Sequence, residues 1–195
     1  MKKIFSILLV AALVITGTIG ATGMSVSAAG DTGERNTSYA YNLVLQLNKS
    51  DDPIKFWNGL TEEEQQIIAK SLVSDIKLET EIKETSLRDD EFKEITVTVN
   101  SYYYGENVWR YEHTVGWSYD HTSITAWYRY SEGYGWGYGF TYWVYIAEID
   151  YYENYYGSSL ACMSKGYWEV KILGQVVNTF DQSIATTHDK DGNSQ

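Results

Sequence analysis

Residues 108–150 read VWRYEHTVGWSYDHTSITAWYRYSEGYGWGYGFTYWVYIAEID. Tyr and Trp alternate with polar residues or Gly over most of this stretch. A period of two sends successive side chains to opposite faces of a β-strand. From Tyr102 to Trp168, 23 of 67 residues are aromatic, and aromatic side chains suit a pleated, half-buried surface. In 108–119, Trp109, Tyr111, His113, Val115, Trp117 and Tyr119 share one face, and Arg110, Glu112, Thr114, Gly116 and Ser118 the other. That is the pattern of an antiparallel strand with one wet side. Asp120-His121-Thr122 predicts a turn. In 123–130, Ile124, Ala126, Tyr128 and Tyr130 fall on one face, with Thr125, Trp127 and Arg129 opposite. Ser131-Glu132-Gly133 predicts a further turn. After it, 134–150 reads as one long strand with Trp136 and Phe140 on one side and Gly135, Gly137, Gly139 and Trp143 on the other.

Outward from this stretch the same signals continue. Residues 93–104 (KEITVTVNSYYY) and the alternating 75–83 (DIKLETEIK) predict strands before it, joined by a charged loop. After a turn at 154–157, strands are predicted at 158–164 and 167–173, joined at Lys165-Gly166, with one more over 175–187. Helical signals precede the sheet. Asp52 followed by Pro53 marks a helix start, since Pro is preorganised for the first helical position. Thr61 with Glu64 three residues on is a capping box, and Glu62, Glu63 and Glu64 favour the positive end of the helix dipole. Ile67, Ile68 and Leu72 supply its apolar stripe, with Leu60 as a staple, so 62–72 is helix. Residues 39–47 (YAYNLVLQL) alternate like a strand, although the composition also suits a short helix. The fold class is therefore α+β and predominantly antiparallel β, a sandwich or strongly curved meander sheet with a short N-terminal helical segment.

The N-terminus reads as a bacterial secretory leader. Lys2 and Lys3 precede a twelve-residue, largely apolar run, and small residues lead to cleavage after Ala28 or Ala29. The run is too short for a membrane span, which needs roughly 20 apolar residues. The chain then divides into a signal peptide at 1–29, a polar leader and helical segment at 30–92, a Tyr/Trp-rich β domain at 93–187 and a polar tail at 188–195. Removing the leader leaves 13 basic against 26 acidic residues. So acidic a chain is repelled by nucleic acid and by anionic lipid. Cys162 is the only cysteine, so no internal disulfide forms in the oxidising compartment. Its neighbours Leu160, Ala161 and Met163 place it as a small buried hydrophobe.

No nucleophile motif, paired histidines of zinc-site spacing or cofactor-binding loop stands out, so no catalytic or metal residues and no cofactor are assigned. Asp189-Lys190-Asp191-Gly192-Asn193 opens like a calcium loop but lacks the closing Glu. The aromatics have four readings. They fill the core, stack on sugar rings, sit at a lipid headgroup layer, or contact a protein. Trp127 and Trp143 lie opposite their strands' main apolar set and are the candidate platform, with Arg129 beside them to bind sugar hydroxyls. Gly135, Gly137 and Gly139 weaken a strand unless something approaches the backbone closely, either a neighbouring aromatic of this chain or a ligand. The β half is similar in composition to small secreted Gly/Tyr/Trp-rich bacteriocins of the lactococcin type, a likeness that carries no individual residue. The expectation is a secreted, extracellular, non-enzymatic protein that binds glycan or cell wall through exposed aromatics. The alternatives are a membrane-active, bacteriocin-like effector and a secreted enzyme.

Overall fold

The computed structural model describes residues 33–86 and 91–195. The expected signal peptide at 1–29 lies outside the described residues, as do residues 87–90 of the charged loop. Three helices, α1 (Gly33–Lys49), α2 (Pro53–Gly59) and α3 (Glu62–Ser74), precede eight strands. The strands are β1 (Ile76–Ser86), β2 (Phe92–Tyr103), β3 (Glu106–Tyr119), β4 (Ile124–Gly135), β5 (Gly137–Tyr138), β6 (Thr141–Tyr155), β7 (Ser159–Ile172) and β8 (Gln175–Asp189). They form two antiparallel four-stranded sheets, β1-β2-β3-β4 and β5-β6-β7-β8, each a meander in chain order. The fold is α+β and predominantly antiparallel β.

The two sheets meet through alternate residues. Ile95, Val97 and Val99 of β2 are buried with Trp109, Tyr111, His113, Val115, Trp117 and Tyr119 of β3. Opposite them lie Leu160, Cys162, Trp168, Val170 and Ile172 of β7 and Phe180 and Ile184 of β8. Trp109 packs 5.1 Å from Trp168 and 5.4 Å from Phe180, centroid to centroid, and Trp117 lies 4.2 Å from His188. The free thiol of Cys162 is one element of this interior.

The helices close one end. Asp52 caps α2 by accepting from the Lys55 amide at 3.0 Å. Thr61 and Glu64 form the reciprocal capping box on α3, with Thr61 N donating to Glu64 Oε2 at 2.8 Å and Glu64 N to Thr61 Oγ1 at 3.2 Å. Residues 39–47 are helical, not a strand, and the helix begins inside the expected polar leader. Ala40, Leu43, Val44 and Leu47 are all buried, and their three- and four-residue spacing is the apolar stripe of a helix. The period-two pattern shared Leu43 and Leu47 with that stripe, and packing against α3 selects the helix. The helical layer is pinned to the sheet by side chains. Asn48 accepts from Phe140 N at 3.0 Å and donates to Tyr138 O at 3.4 Å. Trp143 Nε1 donates to Leu72 O at 3.1 Å, and Asn178 Nδ2 to Ala69 O at 2.8 Å.

Several expected turns are absent. Ser131, Glu132 and Gly133 pair with His113, Glu112 and Tyr111, so β4 runs on to Gly135. Lys165 and Gly166 lie within the single strand β7. The predicted strand over 134–150 breaks instead, at a tight hairpin between β5 and β6 where Gly139 adopts φ +63°. The tail does not trail away. His188 is buried and bridges to Ser194, and Asp189 accepts from the backbone amides of Asp191 and Asn193.

Glycine explains why turn signals failed. A Cβ on Gly133 would collide with the Tyr145 ring, one on Gly166 with Tyr111 and Tyr145, and one on Gly135 with the carbonyl of Trp143. These glycines are gaps that neighbouring rings or backbone fill, and a turn signal read from composition cannot distinguish the two uses. At Gly135 the obstacle is backbone, which cannot swing aside. Gly135→Ala is expected to destabilise the protein by about 2 kcal/mol or more through overpacking, read as a lowered urea midpoint. An unchanged midpoint would show that β4 and β6 separate freely there.

Candidate functional site

Strand β4 carries the candidate site, and one irregularity decides which of its side chains are offered to solvent. Tyr119 pairs with Ile124, but Ser118 pairs with Ala126. Thr125 is the extra residue of a β-bulge, and an inserted residue reverses the facing of everything beyond it. Ile124 therefore points inward with Tyr119 and is buried. Trp127 and Arg129 pair with Trp117 and Val115 on the inter-sheet side. Ala126, Tyr128 and Tyr130 pair with Ser118, Gly116 and Thr114 on the outer side. The sequence alternation grouped Tyr128 and Tyr130 with Ile124; the bulge separates them.

The expected platform is thereby reassigned. Trp143 is 1% exposed and its indole N–H is bonded to α3, so it stacks on no ligand. Trp127 is 36% exposed, but one face of the indole lies against Tyr155 at 4.8 Å and its N–H donates to Glu153 Oε2 at 2.9 Å. The Arg129 side chain is only 8% exposed. Its NH1 and NH2 bond Glu148 at 2.7 and 3.2 Å, its Nε lies 3.2 Å from Glu153 Oε1, and its guanidinium covers the Tyr151 ring at 4.0 Å. These residues seam β4 to the part of β6 beyond its short pairing with β5, where no ladder joins the two strands. Arg129 therefore holds the sheets together and is not placed to meet sugar hydroxyls. Gly135 and Gly137 line a groove of about 460 Å³ bordered by Trp136 and Tyr142. Gly139 lies apart from it, in the hairpin turn beneath the Asn48 side chain.

Other aromatics of β4 are presented to solvent on its outer face. On the outer face, Tyr128 and Tyr130 have rings parallel within 6°, with centroids 6.5 Å apart. Phe92 of β2 continues the row, 6.3 Å from Tyr128 and inclined by 22°. Tyr128 lies across Gly116, in the place a Cβ would take, and its hydroxyl donates to Glu94. Burial, then the bond to Glu94, pushes its phenol up to about 12, so it stays a donor at any physiological pH. Further along the strand, Tyr134 donates to Glu132 and lies under the Arg110 guanidinium at 4.6 Å. From Tyr128 to Trp136 the row spans roughly 26 Å, eight residues at about 3.3 Å each. Thr96 and Thr114, hydrogen-bonded at 2.9 Å, lie beside Tyr130. Sequence reading missed this row because nothing local announces the bulge. Gly116 opposite Tyr128 is the one hint, since a bare backbone asks for a covering ring.

Behind β4 the interior is polar. His113 is buried, with Nδ1 3.3 Å from Ser131 Oγ, and burial, then the Arg129 charge, pulls its imidazole down to about 3. Burial likewise lowers His188 to about 4. Cys162 is pushed up to about 12 by burial and by Glu153, so it remains a thiol. Among the described residues no three His, Cys, Asp or Glu side chains gather as a metal site, and no helix is long and apolar enough to cross a membrane.

The geometry thus defines a class, a two-sheet antiparallel β protein with a helical cap and a solvent-facing tyrosine row. No protein-family model, no curated protein and no solved structure matches the chain.

Two outcomes follow from this arrangement. Arg129→Met leaves Glu148 and Glu153 partly buried without their cation, and is expected to cost about 3 kcal/mol, measured by urea denaturation. The histidines set an acid limit. In the unfolded chain they take up protons near their ordinary value of 6.5, whereas the folded protein binds them only near 3 to 4. Stability is therefore full above about 6.5 and declines as pH falls through that window. The urea midpoint should drop continuously between pH 7 and 5, and less steeply in His113→Asn. A flat profile over that range would contradict buried neutral histidines.

Proposed function

We propose that this protein is a secreted, non-enzymatic glycan-binding module acting at or outside the cell surface, with the outer face of β4 as its binding surface. The observation that carries the reading is the parallel pair Tyr128 and Tyr130, exposed side by side on the outer face of β4, with Tyr128 lying over the bare backbone of Gly116. Phenol rings offer flat, electron-rich faces on which the C–H faces of sugar rings pack, while their hydroxyls stay hydrogen-bonded. Glu94 and Glu132 flank the row as acceptors for sugar hydroxyls, and Arg110 supplies donors. With 13 basic against 26 acidic residues after the leader, the chain's charge favours neutral polymers over acidic ones. Trp136 and Tyr142, at the groove beyond Tyr134, extend the surface for a chain of several sugars.

The protein should be retained on insoluble cellulose, chitin or peptidoglycan in a pull-down. Tyr130→Ala tests the row without disturbing the core, because Tyr130 is 48% exposed. Losing one stacking ring should weaken retention about fivefold to tenfold, as expected of an aromatic contact of about 1 kcal/mol. Wild-type protein left in the supernatant with all three polymers would refute the reading. Dye release from liposomes by the wild type would redirect it to membrane activity.

A further inference from the structure

We propose that β1 is a self-association edge, and that two copies pair antiparallel through it with Ile82 opposite Ile82. Among the described residues, strand β1 is the outermost strand of its sheet and is bonded to β2 on one side only. It is 11 residues long and exposed on both faces from Glu79 onward. Ile82 is 65% exposed although it pairs with buried Val97 and continues the inner face. Long flat edges invite strand addition, and proteins commonly guard them with charge. Here the guard has one gap.

The outer face of β1 reads Lys77, Glu79, Glu81, Lys83, Thr85. Directly opposite residues of an antiparallel pair share a face, so a two-fold pairing matches this row with its own reverse. Centred on Thr80, it sets Lys77 against Lys83 and Glu79 against Glu81, like against like. Centred on Glu81, it sets that carboxylate against itself. Centred on Ile82, it sets Glu81 against Lys83 twice and Glu79 against Thr85. On the other face it brings the two exposed Ile82 side chains together, with Thr80 opposite Glu84 and Leu78 opposite Ser86. Glu84 is already neutralised by Lys93 at 2.9 Å. Of these three registers, only the last has no like charges facing each other, and like charges directly opposite destabilise a pair. Among these registers the charges favour the one that brings the two exposed Ile82 side chains together.

Such pairing makes one eight-stranded sheet. Its two-fold axis is perpendicular to the sheet, so both tyrosine rows face the same side. Their strands are seven spacings apart, roughly 34 Å at about 4.8 Å each. Two such rows would engage a polymer together, raising its retention without any new contact. The pairing itself does not depend on the ligand.

Sedimentation velocity over a range from micromolar to millimolar protein tests it. The wild type is expected to show a concentration-dependent monomer–dimer equilibrium. E81K makes the outer row basic and K83E makes it acidic. Each should dimerise roughly tenfold more weakly alone, while an equimolar mixture of the two should form heterodimers and the double variant E81K/K83E should recover the wild-type equilibrium. Because these positions are exposed, circular dichroism should be unchanged. A wild type that stays monomeric throughout overturns the proposal, as does a dimer indifferent to both single reversals, whatever the polysaccharide pull-down shows.

Discussion

The structure depends on rings lying over bare backbone. No disulfide ties the two sheets, and the bulkiest residues in the chain must pack between and upon them. Tyr145 fits only because Gly133 and Gly166 have no side chain, Tyr128 lies flat only over Gly116, and the Trp143 backbone of β6 comes close to β4 because Gly135 has none. Each glycine weakens its own strand locally and is compensated by the ring or backbone it admits. Where β4 and β6 then meet without a ladder, Arg129 joins them through Glu148 and Glu153, helped by the stacked pair Trp127 and Tyr155.

The same seam links stability to the proposed surface. Strand β4 is held from behind by charged and aromatic contacts and from the side by pairing with β3, so its outer face is rigid. A stacking surface gains from such rigidity, because aromatic side chains already fixed in the free protein lose little freedom on binding. Tyr128 is braced by Gly116 and Glu94 and Tyr134 by Glu132 and Arg110, which leaves Tyr130 as the less constrained member of the row. The helical layer contributes at the far end. Asn48 satisfies the turn between β5 and β6, and that turn sets where Trp136 and Tyr142 border the groove.

Much of the fold was legible in the chain because its signals are local. The capping box at Thr61 and Glu64, the Asp52-Pro53 start and the inward facing of Trp109 through Tyr119 each depend on residues a few positions apart and stand in the structure as the pattern predicts, whereas the face of β3 expected to be wet is largely covered, with Thr114 and Gly116 buried. The site was far less legible. Trp127, Arg129 and Trp143 were singled out as opposite an apolar face, which is correct only if alternation runs unbroken from Ile124. Thr125 breaks it, and Trp143 follows a hairpin that the run of Gly and Tyr concealed.

What the amino-acid sequence determined by itself was the class of structure: where helix gives way to sheet, an antiparallel β body rich in Tyr and Trp, and an interior built without disulfides. These follow from periodicity, capping chemistry and composition, which act over a few residues. What only the tertiary structure decided was which side of β4 each aromatic occupies, whether a glycine turns the chain or makes room for a ring, and that residues 39–47 pack as a helix. Those outcomes turn on contacts between residues far apart in the chain. A single bulged residue, whose place is set by pairing between β3 and β4, turned Trp127 and Arg129 toward the other sheet and Tyr128 and Tyr130 to the outer face of the strand that carries the candidate site.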